Sequence, residues 1–335
     1  MGKQFALVVL NWNGKKLLET FLPTLVAYSP QANVYVVDNN STDGSQELIQ
    51  RDYPSVRLIQ NKGNYGYAKG YNEGVAALTE PILILINSDI EVTENWLVPI
   101  AELYEEDPEL AIVQPKILDY KNKAYFEYAG AGGGYIDRYG FPYCRGRIFS
   151  TIEKDEGQYD DIASIFWASG ACFFIKNDVF KILNGFDEDF FAHQEEIDLC
   201  WRAQNRGYRI KYCGFSTVYH VGGATLNYAN PQKTYLNFRN SLMMLYKNLP
   251  AHHKFSTIFI RLCLDGLAGI YHLFLLQPKH CWAIIRSHFA FYKRLSKMKN
   301  KIEFTNINNY FTEKSIIFTY FVCRKKNFIT IHNKQ

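Results

Sequence analysis

The sequence predicts an α/β protein, a three-layer α/β/α sandwich around a mostly parallel sheet, with a helical, basic C-terminal extension. Short apolar runs alternate with helical spacings through the first ninety residues, the pattern of a parallel sheet covered on both faces. The runs end in polar clusters, and in such sheets ligands bind at the carboxyl ends of the strands. Charge is divided along the chain. Residues 1–250 carry 23 Lys and Arg against 30 Asp and Glu (net −7), and residues 251–335 carry 14 against 3 (net +11).

Phe5–Leu10 is a continuous apolar run ended by Asn11-Trp12-Asn13-Gly14, which suits a strand buried on both faces. Lys15–Val26 places apolar residues at 17, 18, 21, 22 and 25, a helical spacing. Val34–Val37 is the second strand, ending at Asp38-Asn39-Asn40-Ser41-Thr42-Asp43-Gly44. A helix over Ser45–Arg51, a strand over Val56–Ile59 and a helix over Tyr67–Leu78 follow. Ile82–Ile86 is the most apolar strand and stops at Asn87-Ser88-Asp89.

The second half is less regular. Gly130–Gly134 and Tyr139–Phe149 read as one long loop. Ile165–Ile175 reads as a strand pair or a bulged strand. Asn177–Leu183 reads as a short helix that Asn177 or Asp178 would cap. Glu195 opens another helix, whose acidic first turn suits the helix dipole. Tyr208–Tyr212 and Thr217–Val221 are strand-like.

At 335 residues the chain is near the upper bound for one hydrophobic core. A hydrophobic share of 47% excludes general disorder. The absence of a 20–50-residue period excludes solenoids and propellers. Seven cysteines without a C-x-x-C pair speak against a disulfide framework or zinc site and fit a reducing, cytoplasmic compartment. Met1-Gly2-Lys3-Gln4 leads into the first strand without the parts of a secretory signal, and Ala6 breaks the myristoylation pattern.

Three strand-end clusters can converge on one pocket: Asn11, Asp38 with Asp43, and Asn87 with Asp89. A carboxylate such as Asp89 can bind a divalent cation that bridges two phosphates. Any one cluster alone would pass for a polar turn; their coincidence points to a ligand site. Glu195, Glu196 and Asp198 put three acids at one helix start. Crowded carboxylates repel, and one pKa can rise toward that of a general base. An ordinary acidic helix start looks similar, but Phe190-Phe191 and Leu199 to Trp201 press this one against a core. His220, before Gly222-Gly223, could complete a metal site, although a single histidine is more often structural.

Taken together, Val8–Asn13, Val36–Gly44, Asn61–Asn72, Leu85–Asp89, Gly170–Phe174, Gly185–Phe191, Glu195–Arg202 and His220 with Thr225 resemble, in order over residues 4–245, glycosyltransferase family 2 with its GT-A fold. The branch most similar is the rhamnosyltransferase-like bacterial enzymes of surface-polysaccharide assembly. The resemblance implies a catalytic domain over 1–250, with a nucleotide-binding half to about 118 and an acceptor half over 119–250. It implies that Asn11, Asp38 and Asp43 line the nucleoside pocket and that Asn64, Gly66 and Lys69 lie near the nucleotide, Lys69 toward phosphate. Asp89 takes the last position of the D-x-D metal motif, and Asn87 replaces the first Asp. Glu196 falls where the family has its catalytic Asp, with Glu195 as the other candidate base. Asp198, grouped with the catalytic acids, and Arg202, grouped with the donor-binding residues, become supports on the acceptor side. His220 becomes a further metal or diphosphate contact. The implied reaction is a single inverting displacement with Mg²⁺ or Mn²⁺, from a nucleotide-sugar donor to a glycan or lipid-linked glycan acceptor.

The extension, residues 251–335, contains a 20-residue apolar-rich segment, Thr257–Leu276, interrupted by Arg261, Asp265 and His272. Its length would span a bilayer, but Arg261 and Asp265 would each cost roughly 2.5–3.5 kcal/mol at the centre. Four residues apart, they can pair on one helix face. The segment therefore reads as an in-plane or peripheral amphipathic helix, with Arg286, Lys293, Arg294, Lys297, Lys299 and Lys301 meeting anionic lipid at the inner face of the cytoplasmic membrane. A soluble helical cap is the plainer alternative. Nucleic acid is not counted among the partners; a tail that bound it would show strongly salt-dependent affinity. A nicotinamide dehydrogenase would carry G-x-G-x-x-G where this chain has Asn11-Trp12-Asn13-Gly14. A non-catalytic sugar-nucleotide binder or scaffold of the same fold is the remaining alternative, and retention of Asp89 and of the acids at 195–198 argues against it.

Overall fold

A computed structural model describes residues 3–222, 230–299, 301, 307 and 309–332. Its centre is a nine-stranded mixed sheet. The first half supplies β1 (Phe5–Asn11), β2 (Ala32–Asp38), β3 (Arg57–Gln60), β4 (Ile82–Asn87), β5 (Ile90–Val92) and β6 (Leu110–Asp119). The second supplies β11 (Ile162–Ser164), β12 (Cys172–Lys176) and β13 (Arg209–His220). The order is β11-β13-β6-β12-β4-β1-β2-β3, with β5 on β13. Strands β4, β1, β2 and β3 run parallel, as do β6 and β13, while β12 is antiparallel between β4 and β6.

The alternation of side chains explains the unbroken apolar runs. On β4, Leu83 and Leu85 enter one buried cluster, and Ile82, Ile84 and Ile86 the other. On β1, Ala6 and Val8 face the first cluster and Phe5, Leu7 and Val9 the second. Helices α1 (Lys15–Ala27), α2 (Ser45–Asp52), α3 (Gly66–Val75) and α4 (Val98–Glu106) come from the first half; α2 packs on β3, α3 on β1 and β2, and α4 on β6 and β13. Further along come α5 (Asn177–Ile182), α6 (Glu195–Asn205), α7 (Pro231–Asn248), α8 (Ala251–Phe274), α9 (Pro278–Lys299), α10 (Ile316–Phe321) and α11 (Phe328–His332).

Several expectations are corrected. The segment read as a long loop holds three strands of a four-stranded antiparallel sheet, β7 (Gly134–Ile136), β8 (Pro142–Cys144) and β9 (Arg147–Ile148), and β10 (Thr151–Ile152) follows just beyond it. Strands of two or three residues are too short to show a period of two; their pairing is set by packing of Tyr143 and Ile148 against Ile316, Tyr320 and Ile331. In 165–175 only Cys172 onward is strand. The two strand-like segments after 208 are one strand, β13, irregular between Cys213 and Thr217. Neither Asn177 nor Asp178 caps α5: Lys176 holds the cap position, and the Asn177 amide donates to the carbonyls of Leu78 and Glu80, 2.9 Å each. Strands β5 and β6 and helices α4 and α7 were not anticipated. Gly223 and Thr225 lie outside the described residues.

Helix α8 inverts the usual amphipathic arrangement. It buries Thr257, Arg261, Asp265 and Gly269, one residue per turn. The Arg261 and Asp265 side chains pair as their spacing suggests, Nε to Oδ1 2.7 Å. Arg261 also donates to the Tyr139 and Gly140 carbonyls, 3.1 Å each, and stacks on Phe141 at 3.9 Å.

Candidate active site

Register brings the strand-end clusters together. Asn11 lies opposite Asp38, and Leu10 opposite Asn87, on neighbouring parallel strands. The Asn11 amide donates to Asp38 Oδ1 at 2.9 Å, and Asp38 Oδ2 accepts from the Ser41 N–H at 2.8 Å and the Gln46 amide at 2.7 Å. Asp38 is thus fully buried, with both oxygens engaged inside the protein. Gly14 fits here because a Cβ would lie 2.4 Å from Asn11 Oδ1. Asp43 accepts from the N–H groups of Lys15 (2.8 Å) and Ser45 (3.1 Å), so it ties the starts of α1 and α2 together. Burial pushes its carboxyl up, but the hydrogen bonds from Ser45 and Lys15 prevail and hold it below the usual value.

Asn39 and Asn61 carry the cluster on toward α3. The Asn61 amide donates to Asn39 Oδ1 at 2.8 Å, and the Asn39 amide to the Gly66 carbonyl at 3.0 Å. Asn64 is exposed, and its Oδ1 accepts from the Gly66 N–H at 3.0 Å. Gly66 has φ +71°, and a Cβ there would meet the Phe191 ring and carbonyl at 2.8 Å. Lys69 is loosely held, 3.9 Å from Glu188 and 4.8 Å from the Tyr65 ring centre.

Beyond β4, Asp89 and His220 meet. Pairing of β5 with β13 sets His220 opposite Ile90, and the Val221 N–H donates to the Asp89 carbonyl at 3.1 Å. His220 Nε2 is 3.2 Å from Asp89 Oδ1 and 3.4 Å from the Asn87 amide; its Nδ1 is 3.4 Å from Glu127 Oε1. All but Asn87 are buried. Burial alone would lower the imidazole's pKa, but without a cation the Asp89 and Glu127 carboxylates overcome it and raise it to about 10, so a cation ligated there would displace a proton from the ring. The donor set fits a divalent cation. A carboxylate oxygen and an imidazole nitrogen lie side by side, and a second carboxylate behind the ring is the usual means of orienting a ligating histidine. Among the described residues no three His, Cys, Asp or Glu side chains surround one metal position, so the other ligands would be phosphate and water oxygens, as is common for Mg²⁺.

The acid pair stands on a strained approach. Phe191, His193 and Gln194 all have positive φ, +66°, +70° and +72°, a conformation costing about 1–3 kcal/mol for each such residue. Asn240 on α7 holds this loop. Its amide lies 2.7–3.1 Å from the carbonyls of Phe190, Ala192 and His193. Arg239 donates to those of Asp189 and Phe190, and the Phe191 carbonyl accepts from Tyr67 N–H at 3.0 Å, joining the loop to α3. Glu195 is buried and Glu196 half-buried, and among the described residues Oε2 of each lacks a hydrogen-bond partner, as do His193 Nε2 and Gln194 Oε1. Burial pushes Glu195 well above its ordinary pKa, reinforced by the charge of Glu196. Burial also lifts Glu196, against opposing backbone N–H groups, to about 7. Burial and the charge of Lys233 lower His193 to about 4, so it is neutral.

Asp198 and Arg202 stand apart from this opening. Arg202 donates to Asp198 at 2.8 Å and to the Leu183 and Gly185 carbonyls at 2.6 and 2.9 Å. Asp198 also receives Lys247 at 2.9 Å and Asn248 at 2.8 Å. Burial would raise Asp198, but Lys247 and Arg202 hold it below its ordinary value. These two residues brace α6 from within rather than face a ligand. Glu127, Asn240, Asn39 and Asn61 are the site residues the sequence reading did not assign. The two asparagines sit inside motifs it quoted; Glu127 and Asn240 are brought in by tertiary packing and carry no local signal.

The family model described as glycosyl transferase family 2 matches residues 6–182. An N-acetylglucosaminyl-diphospho-decaprenol L-rhamnosyltransferase of Mycobacterium tuberculosis is 25% identical over 258 residues, covering 72% of this chain and 79% of that protein. A mannosyltransferase of Pyrobaculum calidifontis, solved with GDP-Man and Mn²⁺, superposes with a TM-score of 0.54 at 13% identity, covering 86% of this chain and 87% of that one. GalNAc-T7, solved with UDP, GalNAc and Mn²⁺, gives a TM-score of 0.57 at 14% identity; the alignment covers 73% of this chain and about half, 48%, of the GalNAc-T7 chain. These likenesses establish the GT-A fold.

Proposed function

The chain belongs to glycosyl transferase family 2 and is a glycosyltransferase, and on that premise we propose that it transfers a hexose or deoxyhexose, with inversion, from a nucleotide sugar to a hydroxyl of a lipid-linked or surface-polysaccharide glycan. The observation that carries this is the Glu195–Glu196 pair, with unpartnered carboxylate oxygens at the end of a strained loop beside α3. Glu196 is the base. It is the more accessible of the two, and its pKa of about 7 leaves it part-ionised near neutrality. Its carboxylate takes the proton of the acceptor hydroxyl as that oxygen attacks the anomeric carbon. The bond from that carbon to the diphosphate breaks, and the nucleoside diphosphate leaves with the electron pair. Asn11, Asp38 and Asp43 shape the nucleoside end, with Asp38 acting through the groups it positions, and Lys69 has the freedom to reach a phosphate.

Asp89 and His220 are the residues that would hold Mg²⁺ or Mn²⁺, oriented by Asn87 and Glu127. When bound, the cation supplies positive charge against the departing diphosphate. The Mn²⁺ in the two solved neighbours supports the use of a divalent cation. The lipid diphosphate in the name of the mycobacterial relative supports a lipid-linked acceptor. Residues 1–250 form the catalytic body in this reading, and 251–335 hold it at the inner face of the cytoplasmic membrane.

The test is nucleoside diphosphate release from UDP-, GDP- and dTDP-sugars with acceptor, with Mg²⁺ or Mn²⁺ and with EDTA. Release from one donor, lost with EDTA, in Asp89→Ala and in Glu196→Gln, supports the reading. Full turnover in Glu196→Gln moves the base to Glu195. Donor binding without release, over lipid-linked acceptors as well, makes the protein a binder.

A further inference from the structure

Helix α8 turns an ion pair inward and a line of large apolar side chains outward. Its inward line is Thr257, Arg261, Asp265 and Gly269. Its outward line is Phe255, Phe259, Leu267, Ile270 and Phe274, which reach exposures of 84% and 82% at the two ends. The Arg261 and Asp265 charges are therefore turned into the protein, and no charged side chain interrupts the outer face from Phe255 to Leu276. Leu276, in the turn to α9, is 88% exposed. Helix α9 continues the surface with Trp282, Ile285, Phe289 and Tyr292. Beside that stripe run Lys279, Arg286 and Lys293, exposed and spaced by seven residues. A contiguous apolar surface of this kind is not left to water.

We propose that the outer face of α8, the α8–α9 turn and the flanking cations of α9 form a docking surface for an anionic lipid bilayer, lying in the membrane plane rather than crossing it. Charge selects the occupant. A second copy would bring one strongly basic segment, net +11 over residues 251–335, against another, whereas an anionic leaflet complements it. Packing selects the orientation. Arg261 is bonded to the Tyr139 and Gly140 carbonyls, so α8 cannot cross a bilayer without breaking its seat on the body. Two of the six expected cations are taken: Lys297 pairs with Asp189, and Lys301 with Asp187 and Asp189.

The surface also rests on the proposed function at one point, the direction in which the site faces. His280, just past the turn, bonds Thr234 at the start of α7, Nδ1 to Oγ1 2.8 Å. The neighbouring Lys233 is close enough to act on His193 and Glu127. The apolar turn and the site opening thus lie at the same end of α7, and docking presents that opening to the lipid surface, where an acceptor on a lipid diphosphate is held.

The experiment is flotation of the full chain with vesicles of phosphatidylglycerol and phosphatidylcholine, and of phosphatidylcholine alone. Wild type is compared with Phe274→Asp/Leu276→Asp and, independently, with Phe259→Asp/Phe289→Asp, all at exposed positions. The expected result is binding to the anionic vesicles only, weakened about tenfold or more in each double variant, with thermal melting unchanged. Absence of binding, or equal binding by wild type and both variants, overturns the proposal. So does a dimer in sedimentation that the variants dissociate without any vesicle binding, which assigns the face to a second copy. Vesicle binding requires no turnover, so failure of the transfer chemistry and failure of docking are read separately.

Discussion

In the proposed reaction, Glu196 concentrates the chemistry in one side chain whose ionisation is set by its surroundings. Its carboxyl sits near 7 in the folded protein against an ordinary 4.5, and the base must be ionised. Transfer should therefore rise with pH through about 7 and level off above it. Glu196→Gln should lower kcat about 10²- to 10⁴-fold while leaving donor affinity nearly unchanged, as steady-state kinetics beside nucleotide titration would show. Linkage gives the opposite slope for stability. Between about 4.5 and 7 the folded state holds the extra proton, so this group's contribution to stability falls as pH rises. Urea unfolding as a function of pH should lose that part of its slope in Glu196→Gln. His220 shows how far single-residue reading reaches. Its position ahead of a Gly-Gly pair raised a metal role, but the partners that decide its geometry, Asp89 and Glu127, lie 131 and 93 positions earlier in the chain and meet it only through β5, β6 and β13.

Among elements, β1, β2 and β4 were legible because burial on both faces demands apolar residues at every position and leaves a strong contrast where each run ends. The strands of the small second sheet have two or three residues each, and no pattern develops over that length. Helix α7 was missed although it steadies the acid pair, since its value lies in Arg239 and Asn240 reaching carbonyls of another segment. Asn240→Ala would leave the Ala192 and His193 carbonyls without this donor, while that of Phe190 keeps Arg239, at a cost of roughly 1–3 kcal/mol. We expect a lower melting temperature and a kcat reduced more than nucleotide affinity, because the loop it steadies leads to Glu195 and Glu196. Calorimetry and single-turnover kinetics on the variant would test both halves.

At the scale of the whole molecule, an ionic cluster ties the extension to the body. Asp187 accepts from Lys247 and Lys301, and Asp189 from Lys297 and Lys301. Burial would raise Asp187, but the two lysines hold it far below its ordinary value; Asp189 is lowered in the same way. A depressed carboxyl stabilises fully above its unfolded pKa near 3.9 and loses that contribution as pH falls toward the folded value. Lys301→Met should therefore begin acid unfolding at a higher pH than wild type, followed by circular dichroism. The charge division read along the sequence is legible here, but its arrangement is not: cations expected at lipid are partly matched by acids of the preceding loop.

The left-handed turn before α6 has a consequence for how this protein would respond to selection. Glycine adopts that backbone without strain, yet two of its positions carry an imidazole and a carboxamide whose Nε2 and Oε1, respectively, find no partner among the described residues. Heat resistance alone would favour replacing them. Gln194→Gly should gain about 1 kcal/mol in thermal denaturation and lose transfer rate. A library screened only for survival on heating would drift toward glycine there, yielding sturdier proteins with blunted catalysis, and the sites where it drifted first would mark the rim of the proposed acceptor opening.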